Sequence, residues 1–239
     1  MIRPPDFFGE GYAIKTISVI IPALNEEGTI AQVIEEIPKD LLESQGCCVG
    51  IVVVDNNSTD GTKRIAAAKG AKIIDEPIRG KGKAITTAFK SATEDFIFLL
   101  DADYTYPAIY LPQMLKVLED YDVVLGSRLR GNMEKGAMTR MNRVGNHLLA
   151  FMANTLFRTR ISDLCTGCWG LRSKVVKELK LDADGFDLEA NLFAQIAKKG
   201  YRIAEVPISY RRRLTPSKLN SLKDGLIIGR TLIEKRFRS

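Results

Sequence analysis

The run Phe96-Ile97-Phe98-Leu99-Leu100-Asp101-Ala102-Asp103 decides how this chain is read. Five consecutive apolar residues suit a strand buried on both faces, the kind that fills the middle of a parallel sheet. The run ends at two aspartates spaced i and i+2, so in extended chain both carboxylates face the same way. Such a pair can share a cation, or divide one between themselves and a ligand, and reads as a metal-diphosphate seat. A D-x-D triplet alone is a common loop element. Its weight comes from its place between a strand and Tyr104-Thr105-Tyr106-Pro107, with other polar motifs at strand ends in the same half of the chain.

Outward from this run, short β-branched segments alternate with helical patterns. Ile17 to Ile21, Ile51 to Val54, Lys72 to Ile74, Phe96 to Leu100 and Val123 to Leu125 read as strands. Thr29 to Ile37, Thr62 to Ala68, Lys83 to Ala92 and Leu111 to Glu119 read as helices. This alternation through residue 126 predicts a mostly parallel α/β sheet, in which ligands bind beyond the carboxyl ends of the strands. After residue 126 the rhythm changes to a long helix over Met138 to Phe157, a strand at Gly167 to Leu171 and a helix at Leu188 to Lys199. A strand at Arg202 to Tyr210 and a last helix from Leu222 to Arg236 follow. With no repeat, low-complexity tract or linker, one domain over residues 1–239 is expected, its halves divided at 126/127.

A chain of 239 residues, 45% apolar and 27% charged, can bury a core without staples. The net charge of +6 and pI near 9.1 point to an anionic partner. Cys47-Cys48 and Cys165-Thr166-Gly167-Cys168 lack a second pair at zinc-ribbon spacing, and the only histidine is His147, so buried thiols in a reducing compartment are expected. The N-terminus lacks the basic-then-apolar layout of a signal peptide, and no run approaches the roughly 18 apolar residues of a membrane span. The reading is therefore a cytoplasmic protein, soluble or peripheral on the membrane face.

Three further motifs sit at predicted strand ends. Pro22-Ala23-Leu24-Asn25-Glu26-Glu27-Gly28 is a loop whose Asn25 and Glu26 can meet a base or ribose edge, or merely precede a helix cap. In Asp55-Asn56-Asn57-Ser58-Thr59-Asp60-Gly61-Thr62, Asp55 is placed to bind ribose hydroxyls or a base N–H, and Asp60 to cap a helix. Arg79-Gly80-Lys81-Gly82-Lys83 brings cations and helix N–H groups toward an anion, with glycines permitting close approach. It matches neither the P-loop nor the dinucleotide fingerprint.

Taken in order, these four elements resemble the family 2 glycosyltransferases, which are inverting GT-A enzymes. Gly126-Ser127-Arg128, Arg140 to Asn146, Asp163-Leu164-Cys165-Thr166-Gly167, Gly185-Phe186-Asp187-Leu188-Glu189, Glu205 to Tyr210 and Ser217-Lys218-Leu219-Asn220 narrow the likeness. They are similar to the dolichyl or polyprenyl phosphate sugar synthases, over roughly Ile17 to Asn220. The resemblance implies a GT-A, Rossmann-like fold and a nucleotide-sugar pocket at Pro22, Leu24, Asn25, Glu26, Val53, Asp55, Lys81, Ala102 and Glu189. It implies Asp101 and Asp103 as ligands of Mg²⁺ or Mn²⁺, and Asp103, Arg128, Arg213 and Lys218 as the catalytic set. Arg128 would face the phosphates or acceptor, Arg213 and Lys218 would close over the leaving diphosphate, and Arg143 is a weaker candidate for the acceptor phosphate.

The implied reaction carries a hexosyl group from GDP-mannose, UDP-glucose or UDP-N-acetylglucosamine to a polyprenyl or dolichyl phosphate. An ionised lipid phosphate needs no strong general base, which accommodates the absence of histidine near these motifs. Three departures stand out. Thr105 replaces the Gln of the mannose synthases, leaving the metal's third protein ligand open. Thr215-Pro216 stands where that segment usually holds Gly. The family's bilayer-anchored members continue into membrane spans, so a membrane surface and a possible membrane-anchoring partner enter the expectation. A family 2 transferase with a soluble or polysaccharide acceptor is the first alternative. A basic nucleic-acid-binding protein is the remote one, since no helix-turn-helix or aromatic RNA-binding signature is present.

Overall fold

A computed structural model describes residues 14–181, 187–214 and 221–237. Four parallel strands, β1 (Lys15–Ala23), β2 (Cys47–Asp55), β3 (Lys72–Asp75) and β4 (Phe96–Leu99), make the first half of the sheet. With β5 (Val123–Ser127), β6 (Trp169–Arg172) and β7 (Ile203–Pro207) they give the order β3-β2-β1-β4-β6-β5-β7. β5 and β7 are parallel to each other, while β6 runs antiparallel to both β4 and β5. The expected mostly parallel sheet flanked by helices is what forms.

Alternation along the strands explains why both faces are covered. Ile17, Val19 and Ile21 of β1 pack into one buried cluster, whereas Ile20 belongs to the other. The first cluster is closed by α1 (Ile30–Glu35), α2 (Lys39–Ser44), α3 (Thr62–Ala68) and α5 (Leu111–Val117). The second is closed by α4 (Lys81–Ser91), α6 (Arg140–Phe157), α7 (Ser173–Glu178), α8 (Leu188–Lys198) and α9 (Ser221–Phe237).

Two of these helices escape a reading of the sequence. α2 buries only Leu42 and so shows no apolar stripe, and α7 carries the β-branched pair Val175-Val176, which favours strand. β2 also begins earlier than expected, at Cys47, which is buried.

The topology opens the site. β1 has β2 on one side and β4 on the other, so the loops leaving their carboxyl ends diverge and a crevice forms between them. The register sets Pro22 beside Val54 and Ala23 beside Asp55. The loops after β1 and β2 therefore start from one level.

Candidate active site

The crevice is a cavity of about 1450 Å³. Of the residues singled out in the sequence, Pro22, Leu24, Glu26, Lys81, Asp101, Ala102, Asp103, Arg128, Glu189 and Arg213 line it. Val53 is fully buried in β2 behind the loops, and Arg143 is exposed on α6. Lys218, with Thr215 and Pro216, lies outside the described residues.

At the floor, the seat is pinned from both sides. Gly167 lies against Asp101 so closely that a side chain there would collide with the carboxylate and push it out of place. The Gly167 N–H donates to the Tyr106 hydroxyl at 2.8 Å, and Thr29 Oγ1 donates to the Ala102 carbonyl at 2.7 Å. Thr105, fully buried, donates to Asp103 Oδ1 from its backbone N–H (3.1 Å) and its hydroxyl (2.6 Å). Thr105 thus orients Asp103.

Each aspartate meets a cation. Lys81 Nζ lies 2.7 Å from Asp101 Oδ1 and 2.7 Å from Glu189 Oε1. Burial opposes its charge, but the two carboxylates outweigh burial and hold Lys81 above the usual lysine range. Arg213 reaches Asp103 Oδ2 at 3.3 Å and Glu26 Oε1 at 3.1 Å. Burial, then the neighbouring Asp101 charge, push Asp103 above the ordinary carboxylate range, with Thr105 and Arg213 pulling against them.

Lys81 is delivered by the loop after β3. Asn56 accepts from the Gly80 N–H at 2.7 Å and donates to the Glu76 and Ile78 carbonyls. Gly80 has φ 142°, a backbone that side chains rarely adopt, and it opens α4 with Lys81 in the first turn. On the β1 loop, Asn25 (φ 54°) accepts from the Thr59 N–H at 2.8 Å, tying this loop to the one after β2. In β2, Asp55 Oδ2 accepts from the Ser58 N–H at 3.3 Å, whereas Oδ1 is buried with no hydrogen-bond partner among the described residues. A buried unpaired carboxylate oxygen is costly unless a ligand donor completes it.

Arg128, at the end of β5, forks onto Asp163 at 2.8 and 2.7 Å, and its N–H donates to the same carboxylate at 2.9 Å. Its guanidinium lies 5.2 Å from the Tyr210 ring centroid and 5.9 Å from that of Tyr106. No local pattern in the sequence ties Asp163 or Tyr106 to Arg128. The need of a strand-end arginine for a counter-charge was the available signal, but the partner is 35 residues away. Cys165 and Cys168 are free thiols, pushed up to about 12 by burial.

Opposite the floor, the wall is mostly apolar, with Asp224, Arg230 and Glu234 of α9 also lining it. Met138, Leu148, Leu149 and Met152 around α6, with Leu226, Ile228 and Ile233 from α9, line the same cavity. Leu148, Leu226 and Ile233 are exposed. No helix of the described residues is long and apolar enough to cross a membrane.

Residues 18–180 match the family model of glycosyl transferase family 2. The chain is 33% identical over 224 residues to the dolichyl-phosphate hexose transferase of Haloferax volcanii, covering 93% of this chain and 95% of that protein. It is 35% identical over 213 residues to the low-salt glycan biosynthesis hexosyltransferase Agl6 of the same organism, covering 88% of this chain but only 51% of Agl6. Among solved structures, glucosyl-3-phosphoglycerate synthase from Mycobacterium tuberculosis, in complex with Mn²⁺, UDP-glucose and phosphoglyceric acid, shares the fold. The TM-score is 0.71 at 23% identity, over 96% of this chain and 86% of that one. The family match begins within β1 and runs past the Asp pair, the Arg128–Asp163 fork and β6, so the likeness takes in part of the cavity floor and six of the seven strands: the chain belongs to the family 2 glycosyltransferases.

Proposed function

We propose that this enzyme transfers a hexosyl group from a nucleoside-diphosphate sugar (GDP-mannose, UDP-glucose or UDP-N-acetylglucosamine) to a polyprenyl or dolichyl phosphate, with inversion at the anomeric carbon. One observation carries the reading: a single cavity has a charged floor at Asp101 and Asp103 and an apolar wall from α6 and α9. A phosphate with an isoprenoid tail needs both surfaces, whereas a soluble sugar acceptor has no use for the second. The similarity to the Haloferax dolichyl-phosphate hexose transferase supports the same acceptor class.

The donor set suits Mg²⁺ or Mn²⁺. These cations take one or two carboxylates and complete their shell with water and substrate phosphates, and two adjacent carboxylates that already attract Lys81 and Arg213 create a local demand for positive charge. Asp101 and Asp103 would hold the ion, which when bound neutralises charge on the departing diphosphate. The α4 N-terminus, Lys81 and Arg213 supply donors and positive charge to the same diphosphate as its bond to the sugar lengthens. Lys218 joins them in this proposal. Asp55, through its unpaired oxygen, accepts from the nucleoside, with Pro22, Leu24 and Glu26 forming the near wall.

Arg128, held by Asp163, presents a fixed guanidinium edge to the acceptor side. The acceptor is ionised at neutral pH, so no side chain has to remove a proton. The exposed apolar residues of α6 and α9, with Arg140, Arg143, Arg230, Lys235 and Arg236 on the same helices, suit a peripheral position on an anionic membrane face.

The test is incubation of the protein with labelled sugar nucleotides, Mn²⁺ and a short polyprenyl phosphate. Label passing into an organic extract is the expected outcome. Label recovered only on a soluble acceptor or as free sugar would overturn the lipid assignment.

A further inference from the structure

Glu205 of β7 carries a carboxylate that the transfer chemistry leaves out, yet its side chain is only 5% exposed. Parallel register sets it beside Leu125 of β5, so it points to the same side of the sheet as Leu125 and Ser127. There it meets the loop that follows α6. Oε1 accepts from the Ser162 N–H at 2.7 Å and the Asp163 N–H at 3.1 Å, and Oε2 accepts from the Ser162 hydroxyl at 2.8 Å. Arg130 stands farther off, at 3.7 Å. The same two loop residues face the end of β5 one for one. The Ser162 and Ser127 hydroxyls meet at 2.6 Å, and Asp163 holds the Arg128 fork. We propose that Glu205 is a positioning residue for the transfer: by gripping Ser162 and Asp163 it sets the angle at which the Arg128 guanidinium meets the acceptor phosphate. The proposal rests on the reading of Arg128 as the acceptor-side cation and adds what fixes it there.

Arg128 takes its orientation from Asp163. Its Nε and Nη2 are committed to that carboxylate, its backbone N–H donates to the same group, and the Tyr210 and Tyr106 rings flank it. Arg128 lines the cavity, and Nη1 is the guanidinium nitrogen not given to Asp163. A shift of Asp163 therefore moves the cation relative to whatever occupies the cavity. Asp163 itself sits in a loop, outside any strand or helix, so the sheet ladder does not hold its backbone. Glu205 supplies the hold from the strand paired with β5, which places the grip and the end of β5 on one ladder. Two successive N–H groups on one carboxylate oxygen fix the intervening peptide in orientation as well as distance. Because misplacing a reacting group by about 1 Å costs about 100-fold in rate, a remote grip of this kind bears on turnover.

The test uses the full chain, a labelled sugar nucleotide, Mn²⁺ and a short polyprenyl phosphate, and separates kcat/KM for the acceptor from affinity for UDP or GDP. Glu205→Leu should lower acceptor kcat/KM by up to about 100-fold and leave nucleotide affinity in place. Glu205→Gln keeps the reach, since its carbonyl oxygen accepts both N–H groups and its amide donates to the Ser162 hydroxyl, and should restore most of the activity. Glu205→Asp keeps the charge but is one methylene short, and should not. Arg128→Lys leaves Asp163 a counter-charge but cannot fork, and in that background Glu205→Leu should cost little more, because both act through one guanidinium. Should Glu205→Leu fail to fold, Ser162→Ala removes a single hydroxyl of the grip and should give a smaller loss of the same kind. Activity kept by Glu205→Asp and lost in Glu205→Gln would overturn positioning in favour of charge. A full further loss on the Arg128→Lys background, or an equal loss of nucleotide affinity, would reduce Glu205 to a residue of the fold. Unchanged acceptor kcat/KM in Arg128→Lys would overturn the proposal and leave the lipid acceptor standing, whereas no lipid-linked product from wild type would overturn the acceptor reading itself.

Discussion

The floor and the wall of the cavity are built in opposite ways. On the floor, nearly every charged group near the Asp pair is matched: Lys81 with Asp101 and Glu189, Arg213 with Asp103 and Glu26, Arg128 with Asp163. The wall, from α6 and α9, shows Leu148, Leu226 and Ile233 to solvent, with Leu226 77% exposed. Charged groups already gathered at the floor suit the side where charge develops during reaction. Unburied apolar surface gains free energy only when something covers it, which suits a hydrophobic acceptor or a membrane. Under the proposed function, the contrast puts electrostatic work on one side and capture of an apolar chain on the other.

That contrast predicts where each kind of damage falls. Asp103→Ala should lower transfer by about 10³-fold with an unchanged circular dichroism spectrum, as expected for loss of a preorganised charge. Substantial activity remaining would mean that the floor is not where the leaving group is stabilised. Asp163→Asn breaks a buried bidentate pair and should cost about 3–5 kcal/mol in a urea unfolding experiment. On the wall, Leu148→Asp and Leu226→Asp should each reduce sedimentation with anionic vesicles and formation of lipid-linked product about tenfold, since one buried side chain is worth about 1.5–3 kcal/mol. Nucleotide affinity should not move; if it does, floor and wall are not separable.

The prediction with the least bearing on turnover concerns the thiols beside the seat. A thiol held at about 12 is roughly one part in ten thousand thiolate at pH 8, so Cys165 and Cys168 should alkylate far more slowly than exposed Cys48. Because burial holds both values high, their rates should still be rising with pH above 9. Fast, pH-insensitive labelling of Cys168 at neutral pH would show that the floor opens.

How much of this is legible from residues depends on the range of the interaction that fixes it. The strands through β5, and the polar motifs at their ends, are encoded by local apolar runs and the loops that follow them. The antiparallel insertion of β6 between β4 and β5 is not, because Trp169-Gly170-Leu171-Arg172 specifies a strand without specifying its direction or neighbours. The Asp pair announces itself by spacing. Its environment does not: Glu189 reaches Lys81 across 108 positions, and Arg213 reaches Glu26 across 187. Thr105 marks the same limit, since its identity raises the question of a ligand and only the geometry shows its hydroxyl turned to Asp103.

The segment that carries Arg213 is bolted at its root. The Arg211 N–H donates to the Thr105 carbonyl at 3.0 Å, and its guanidinium stacks 4.2 Å from the Tyr104 ring centroid while forking onto Glu36. The Arg212 N–H donates to Glu134 at 2.8 Å. Two residues of extended chain span at most about 7 Å, so Arg213 can leave Asp103 for a phosphate by turning its side chain while the root stays fixed. Side-chain rotation needs none of the loop rearrangement, on the microsecond to millisecond scale, that completes many active sites. Partner exchange at this arginine therefore needs no movement of the backbone, and solvent viscosity should leave that step untouched.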